Sequence, residues 1–374
     1  MHFVVNRHNL MNGLSTVLRA VPSRSPLPIT TGVLIRVAED NTVELTGTDL
    51  EVMIRCRVPV IEVQREGEAV VPARQVSEIV RRLGEGNLEI QGSGPNVIMT
   101  YPGGEAQLSG YLPEEFPVLT RESDEQTLIK PGPGFGDALR CVLYAAGKDE
   151  LRPVFTGVQF EMRNGTLTVA ATDGHRLAVH ETAVECDEAS VSSIIPAKAL
   201  RELERVIAQH SGSLSSGSGE LTIAVLREMA AFVIDEVEIY TRLIEGRFPE
   251  WRAAIPQNRA SSVIRGNRLN LINSVERAQV MATSDIPSVI IKVAGGVLTV
   301  RAQSDMGGLR ETVSMETEGE DVEIAFNSVY LLEALRAADS EGVEVGFNGS
   351  IGPAVIRLLD DPAYLALVLP LRLV

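Results

Sequence analysis

The sequence predicts an α+β fold made of three repeats, each with two helices packed on antiparallel sheets. A set of landmarks returns in the same order after about 125 residues, which is typical of a repeated structural unit. Most apolar residues alternate with polar ones at period two, whereas amphipathic helical segments are few. Because so few helices cannot cover both faces of a sheet, we expect antiparallel sheets with helices on one side.

The first repeat begins with an amphipathic helix over 7–21, whose Leu10, Leu14 and Val17 share one face. A second helix begins near Val71-Pro72-Ala73-Arg74. The remaining period-two runs of this repeat predict strands at 33–37, 42–45, 51–60, 87–91, 96–101 and 105–110.

The second and third repeats are recognised by matching strings. Thr156-Gly157-Val158 matches Thr31-Gly32-Val33, Thr172-Asp173 matches Thr48-Asp49, and Ile195-Pro196-Ala197-Lys198 matches Val71-Pro72-Ala73-Arg74. In the fainter third copy, Ser304-Asp305 stands at the Thr-Asp position, and a helix is predicted near 267–282. Phe326-Asn327-Ser328 begins the last helix, whose Leu331, Leu332 and Leu335 are predicted to face inward.

These matches predict three domains at 1–124, 125–258 and 259–374. The linkers are expected near 119–127 and 256–262, where charged residues and proline interrupt the periodicity. The Gly- and Ser-rich stretch 211–219 is expected to be a hairpin loop within the second domain.

The stretch 170–179 carries the most specific local signal. Two alternating runs flank Asp173-Gly174, which predicts a β-hairpin because glycine accepts the positive φ of a tight turn. His175 and Arg176 follow at once, so a polar and partly cationic cluster lies beside Leu177 at the end of the hairpin.

Composition narrows the functional classes. The net charge of −16 argues against indiscriminate nucleic-acid binding, although the basic residues are almost all arginine. No apolar run approaches the 18 or so residues of a membrane span, and the N-terminus lacks the apolar core of a signal peptide. The three cysteines are widely spaced and odd in number, which predicts neither a disulfide framework nor a zinc site and favours a reducing cytoplasm.

Taken together, these strings resemble the bacterial sliding clamp family, the β subunits of DNA polymerase III. The resemblance covers the whole chain and is carried by the strings Leu27-Pro28-Ile29, Leu45-Thr46-Gly47-Thr48-Asp49-Leu50-Glu51, Val71-Pro72-Ala73-Arg74, Asp173-Gly174-His175-Arg176-Leu177, Glu245-Gly246-Arg247-Phe248-Pro249 and Leu369-Pro370-Leu371-Arg372-Leu373.

The resemblance implies a processivity factor without enzymatic activity, cofactor or metal. Two chains of three clamp domains, each chain forming half of a closed ring, would assemble head to tail as a homodimer. Such a ring encircles double-stranded DNA without regard to base sequence and tethers the DNA polymerase III α subunit, the clamp loader and other proteins that carry clamp-binding peptides.

The same architecture implies that cations on or beside the helices face DNA in the lumen of the ring. The candidate DNA-contacting residues are Arg19, Arg24, Arg81, Arg82, Arg140, Lys148, Lys198, Arg201, Arg205, Arg268, Arg277 and Arg336. Glutamates lie on the same helices, so the attraction for phosphate should be modest, and the alternative is that several of these cations only pair with a neighbouring glutamate.

The resemblance also implies a pocket for short peptides between the second and third domains. Its candidate residues are Phe155, Thr172, Gly174, His175, Arg176, Leu177, Pro249, Leu367, Leu369, Pro370, Leu371 and Arg372. Leucine stands where many relatives have methionine, so the pocket should be less adaptable. The alternative for Leu367 and Leu369 is an ordinary place in a strand core.

Ring closure requires an edge strand of the first domain to pair with the third domain of a partner. The candidate interface residues are Ala106 and Leu108 on one side and Val280 and Met281 on the other. Ala106 replaces an aromatic residue of some relatives.

The sequence gives weaker support to two other functional classes. Asp173 and His175 are two residues apart across a tight turn, which does not place a carboxylate behind an imidazole, and no metal-ligating H-E-x-x-H or complete phosphate loop is present. Catalysis is therefore disfavoured. The alternative outside enzymes is a repeat scaffold that binds peptides without encircling DNA.

Overall fold

The computed structural model describes residues 1–37, 40–119, 126–186, 190–216, 219–282 and 286–372. Part of the predicted linker at 119–127, residues 120–125, and Leu373 of the C-terminal string lie outside the described residues. No helix in the described ranges is long and apolar enough to cross a membrane.

Among its described residues, the first repeat has two helices and nine strands. The helices are α1 (Arg7–Val17) and α2 (Ala73–Arg82). The strands are β1 (His2–Asn6), β2 (Gly32–Val37), β3 (Thr42–Thr48), β4 (Val52–Pro59), β5 (Glu62–Arg65), β6 (Gly67–Pro72), β7 (Asn87–Ser93), β8 (Asn96–Tyr101) and β9 (Gly104–Ser109).

The second repeat follows the same plan with one additional short helix. The helices are α3 (Phe135–Leu143), α4 (Ala197–Gln209) and α5 (Ser211–Ser216). The strands are β10 (Thr127–Pro131), β11 (Gly157–Arg163), β12 (Thr166–Thr172), β13 (Arg176–Cys186), β14 (Ser190–Pro196), β15 (Leu221–Val225), β16 (Met229–Ile234) and β17 (Val237–Arg242).

The described part of the third repeat again contains two helices. The helices are α6 (Arg268–Met281) and α7 (Ser328–Arg336). The strands are β18 (Ser262–Asn267), β19 (Ser288–Ala294), β20 (Val297–Ser304), β21 (Gly307–Val313), β22 (Glu316–Gly319), β23 (Val322–Asn327), β24 (Gly342–Phe347), β25 (Ala354–Leu358) and β26 (Tyr364–Val368).

The chain forms two compact units, one of residues 1–130 with 201–243 and the other of residues 131–200 with 244–374. In the first unit, strands pair antiparallel in the orders β5-β1-β7-β8-β9 and β6-β2-β3-β4-β17-β16-β15-β10. In the second unit, the orders are β14-β11-β12-β13-β26-β25-β24-β18-β22 and β21-β20-β19-β23.

The predicted core faces of the helices are largely confirmed. Leu10, Leu14 and Val17 of α1 are buried, and Leu331, Leu332 and Leu335 of α7 are buried in the same way. Aliphatic side chains fill these faces, and their removal from water is the main driving force for packing helix on sheet.

Two predicted boundaries are corrected by the structure. The first helix ends at Val17 and continues as one 3-10 turn over Leu18–Ala20, rather than reaching residue 21. The stretch 211–219 is not a simple hairpin loop, because α5 occupies Ser211–Ser216. The Leu214 amide donates to the His210 carbonyl at 3.0 Å, which continues helical hydrogen bonding after α4, while residues 217–218 lie outside the described residues.

The match between the first two repeats is confirmed by equivalent hydrogen bonds in their Thr-Asp turns. In the first unit, the Thr48 hydroxyl accepts from the Leu50 amide at 3.0 Å, and Asp49 Oδ1 accepts from the Glu51 and Val52 amides at 3.0 and 2.9 Å. In the second unit, Thr172 and Asp173 make the same three hydrogen bonds to the amides of residues 174, 175 and 176 at 3.1, 2.9 and 3.1 Å. The two Thr-Asp strings therefore specify the same turn.

One position of this turn differs between the copies. Gly174 has φ +92°, and its counterpart Leu50 holds φ +79°. A left-handed conformation costs an L-residue about 1–2 kcal/mol relative to glycine. Leu50 is also 45% exposed, so little burial of its side chain offsets that cost.

We predict that Leu50→Gly stabilises the first unit by about 0.5–1 kcal/mol, because the relief of the left-handed conformation exceeds the added chain entropy of glycine. Gly174→Ala should destabilise the second unit by about 1 kcal/mol, since no atom beyond the adjacent residues lies closer than 3.8 Å to an added Cβ and only the backbone conformation is penalised. Urea unfolding of both variants measures the two effects, and a neutral Gly174→Ala would contradict the shared turn geometry.

Candidate functional site

The hairpin of β12 and β13 organises the candidate site. Its two strands pair from Thr166–Ala183 to Thr172–Leu177, as the alternating runs predict. The Thr172 hydroxyl donates to the Arg176 carbonyl at 2.6 Å and accepts from the Gly174 amide. Both hydrogen bonds of this buried side chain therefore stabilise the turn. Gly174 and His175 are exposed at its tip.

Arg176 lies on the face of β13 opposite Leu177. Its guanidinium is buried, with Nε donating to Asp173 Oδ2 at 3.0 Å and Nη1 pairing with Glu333 on α7. The guanidinium carbon lies 4.4 Å from the ring centroid of Tyr330 and 5.4 Å from that of Tyr144. Arg176 was predicted as a pocket residue, but these contacts make it a support that fixes the turn to α3 and α7.

An apolar patch forms on the Leu177 face of the same strand. Leu177 pairs with Leu367 of β26, and Leu367 pairs with Val355 of β25, so three apolar side chains cross three neighbouring strands. The buried members of the patch are Ala170, Leu177, Val179, Ile194, Phe248, Trp251, Val355 and Leu367, and the half-buried members are Val154, Ile244, Ile255 and Leu365.

Leu367 lies in a strand and is buried, as the alternative interpretation of the sequence proposed. Because it pairs with Leu177 and Val355, it also forms the base of the apolar patch. Leu369 differs because it follows the end of β26 and is 44% exposed. The half-buried members leave part of the patch accessible to solvent. The two leucines therefore have different positions, one buried at the base and one exposed at the margin.

Phe155 forms another margin of the site. It lies in a 3-10 turn over Pro153–Thr156, and the Arg152 guanidinium carbon lies 4.9 Å from its ring centroid. A Cβ at Gly174 would come within 3.9 Å of the Phe155 ring, so the tip of the hairpin lies beside this ring. Pro249, next to Phe248 of the patch, is half-buried.

The C-terminal segment is held by its backbone. The Leu369 amide donates to the His175 carbonyl at 2.9 Å, and the Leu371 amide donates to the Ala325 carbonyl at 2.8 Å. Pro370 and Leu371 are half-buried, and Arg372 is exposed. These bonds leave the Leu369 side chain accessible while its main chain is fixed beside the hairpin tip.

Sequence reasoning missed several members of the patch, chiefly Trp251, Phe248 and Val154. Trp251 is the only tryptophan, and its indole Nε1 donates to the Gln159 side-chain oxygen at 2.9 Å. Its position two residues after Pro249 was the available signal, because a tryptophan beside a recognised string is a common interface residue.

The candidate DNA-contacting cations fall into distinct groups. Arg24 and Lys148 are exposed and make no ion pair within the described ranges. Lys198 is exposed on α4, and Arg19 is half-buried. The other exposed cations pair with acidic neighbours: Arg81 and Arg82 with Glu78, Arg140 with Asp137, Arg205 with Glu202, Arg277 with Glu311, and Arg336 with Glu276.

Two arginines of the candidate DNA-contacting set are less exposed to solvent than expected. Arg268 is buried, and its guanidinium donates to the main-chain carbonyls of Leu335 and Ser340 at 3.0 and 2.6 Å, which corrects its assignment to a DNA-facing surface. Arg201 is half-buried, and burial lowers the pKa of its guanidinium, with a further lowering by the neighbouring charge of Arg205.

The candidate interface residues lie at or near two sheet edges. β9 is the edge strand of its sheet, with Ala106 half-buried and Leu108 buried against its own unit. In the second unit, β21 is an edge strand, and Val280 at the end of α6 is 75% exposed. Met281 is half-buried, and its methyl group lies 3.4 Å from the position a Cβ would take at Gly307.

Asp173 and His175 do not form an acid/base pair with each other in the described part of the chain. The Asp173 carboxylate accepts from two amides and from Arg176, while the His175 ring stacks on Tyr330 with centroids 6.4 Å apart. Cys141, His180 and Asp361 do come together, but burial raises the pKa of the Cys141 thiol to about 12, the opposite of an activated nucleophile.

We predict that Arg176→Met destabilises the second unit by about 3 kcal/mol, because it leaves the carboxylate of Asp173 in a largely buried place without its cation. Arg372→Met, which removes an exposed arginine from the same candidate set, should change the free energy of unfolding by less than about 0.5 kcal/mol. Urea denaturation followed by circular dichroism compares them, and equal stabilities would contradict the supporting role of Arg176.

Comparison with known proteins covers the whole chain. The sequence profiles of the DNA polymerase III beta subunit match in order: its N-terminal domain at 1–120, its central domain at 133–250 and its C-terminal domain at 252–372. The domain boundaries predicted from the repeats stay predictions.

Individual relatives are similar to this chain over its whole length. The beta sliding clamp of Halalkalibacterium halodurans is 32% identical over 387 residues, covering 100% of both chains. The crystal structure of the Pseudomonas aeruginosa clamp bound to griselimycin is similar with a TM-score of 0.92 and 26% identity. The Bacillus subtilis clamp structure is similar with a TM-score of 0.91 and 27% identity, and both structures are covered completely.

Proposed function

This chain belongs to the DNA polymerase III beta subunit family and is a DNA sliding clamp, and on that premise we propose how its own residues act. We propose that two chains close head to tail into a ring around duplex DNA. The apolar patch and the C-terminal segment then bind the short peptides by which the polymerase α subunit, the clamp loader and other partners are tethered. The single observation that supports the peptide site is the exposed Leu369 beside an apolar patch whose marginal residues are half-buried.

The patch suits extended peptides with apolar anchors. Its buried base of Leu177 and Leu367 is rigid, because both residues are paired in adjacent strands. Its margins offer the exposed side chain of Leu369 and the ring of Phe155 beside a main chain fixed by hydrogen bonds. An apolar surface with a few fixed polar groups at its margin binds leucine and phenylalanine side chains and selects their spacing.

We predict that Leu369→Ala weakens binding of a short peptide with glutamine, leucine and a terminal Leu-Phe by at least about tenfold, because apolar area buried by the peptide is lost. Leu359→Ala is the matched control, since Leu359 is similarly exposed at 53% but lies at the opposite end of the β25–β26 hairpin. Fluorescence of Trp251 in the patch measures binding, and unchanged affinity in Leu369→Ala would discard the site.

The DNA contact is proposed to be weak and independent of base sequence. Most candidate cations are already paired with acidic neighbours, so only part of their charge is free for phosphate. Exposed Arg24 and Lys148 are the strongest candidates. Weak phosphate contacts permit sliding, and closure of the ring provides the retention on DNA.

Ring closure is proposed to pair β9 of one chain with β21 of the other. Both are sheet edges with free backbone hydrogen-bonding groups on one side, and an unpaired edge invites a second strand. The exposed Val280 lies on α6, a helix that packs on β21, and would be covered by the partner. A closed homodimer formed in this way leaves neither edge open.

We predict that the double variant Arg24→Glu, Lys148→Glu lowers the affinity for a fluorescent duplex and reduces the slope of log affinity against log salt by about two, one for each lost phosphate contact. Arg163→Glu with Arg227→Glu makes the same charge change on exposed sheet and turn positions and should leave the slope unchanged. Fluorescence anisotropy over a salt series measures both, and equal slopes would contradict the assignment.

DNA topology separates the clamp from a peptide-binding scaffold. Protein placed on nicked circular DNA by a clamp loader should remain bound in gel filtration and should be released when the circle is cut. A scaffold would be indifferent to the cut. We propose that the chain has no catalytic role of its own and acts in the cytoplasm, where its replication partners are found.

A further inference from the structure

Three side chains with metal-ligating atoms meet in the second unit, where His180 lies on the face of β13 opposite Val179 of the apolar patch. Cys141 on α3, His180 on β13 and Asp361 between β25 and β26 each bring one ligand atom to within 4.8 Å of the others. Cys141 and His180 are buried, and Asp361 is half-buried. A sulfur, a nitrogen and an oxygen donor are thus held by three separate elements.

The hydrogen bonds of this cluster are incomplete. His180 Nε2 lies 3.1 Å from Asp361 Oδ2, but the other ring nitrogen, Nδ1, is buried and has no hydrogen-bond partner among the described residues. The Cys141 sulfur makes only a weak contact of 3.6 Å with the Ala337 carbonyl. A buried polar atom without a partner is costly, and such atoms in native proteins usually accompany a ligand, an ion or a water.

The donor set favours one class of ion. Calcium and magnesium prefer oxygen ligands, whereas thiolate and imidazole together with carboxylate are the ligands of zinc. One thiolate and one carboxylate carry two negative charges, which a divalent ion neutralises in a buried place. Zinc bonds of about 2.0–2.3 Å at tetrahedral angles put ligand atoms about 3.3–3.7 Å apart, so movements of about 1 Å would bring these atoms into position.

We propose that Cys141, His180 and Asp361 bind one zinc ion per chain, with a fourth position open to water. The half-buried Asp361 provides the path of entry from solvent. Zinc would replace the thiol proton of Cys141 and join α3, β13 and the β25–β26 turn. Because β13 and β26 also carry Leu177 and Leu367, the ion would stabilise the strand pair at the base of the apolar patch.

Cobalt titration of the full-length chain tests this site. Co²⁺ replaces zinc in such sites and gives a thiolate-to-metal charge-transfer absorption when a cysteine is a ligand. We expect one equivalent of Co²⁺ to produce this band and Zn²⁺ to abolish it. Cys141→Ser should remove the band, and Cys56→Ser, which changes a buried cysteine outside the cluster, should retain it.

A second variant keeps the test decisive if Cys141→Ser does not fold. Asp361→Asn preserves the shape of a half-buried side chain and should weaken zinc binding at least about tenfold in competition with a chromogenic chelator. The proposal would be overturned if the wild-type chain gave no charge-transfer band, or if a folded Cys141→Ser variant gave the same band. Unchanged zinc affinity in Asp361→Asn would also overturn it.

Discussion

The antiparallel pairing of β13 with β26 is the constraint on which the candidate site depends. It joins strands that are almost 200 residues apart and sets Leu177 opposite Leu367. Because side chains alternate along a strand, a shift of β13 by one residue would turn Leu177 to the other face and bring charged Arg176 onto the patch beside Leu367. Register, more than the presence of apolar residues, therefore determines whether a binding surface exists.

The two faces of β13 have different roles: one anchors the hairpin tip, and the other forms the base of the apolar patch. On one face, Arg176 is held by Asp173, Glu333 and two tyrosine rings, which fixes the hairpin tip to α3 and α7. On the other face, Leu177 forms the base of the patch. A buried guanidinium adds little net stability, but once formed it permits few alternative positions of the turn. A rigid tip lowers the entropic cost of binding a peptide beside it.

Much of the fold was predictable because it is encoded locally. The Thr-Asp turns, the hairpin at Gly174 and the buried faces of α1 and α7 follow from short strings and periodicity. The short helix α5 and the burial of Arg268 were not predictable in this way, since tertiary contacts and main-chain carbonyls distant in sequence decide them. For the site, the resemblance supplied the residues, but the different positions of Arg176 and Leu177 required the register of the sheet.

In the proposed ring, the pairing of helix arginines with acidic neighbours would keep the contact between a chain of net charge −16 and DNA weak. DNA phosphates would have to compete with carboxylates such as Glu78 and Glu311 for the same guanidinium groups, so each proposed contact would gain little free energy. A strong contact would slow movement along DNA, because every step would require several such contacts to break. A clamp held by ring closure does not need that affinity, and internal ion pairs keep the contact weak without removing the positive groups.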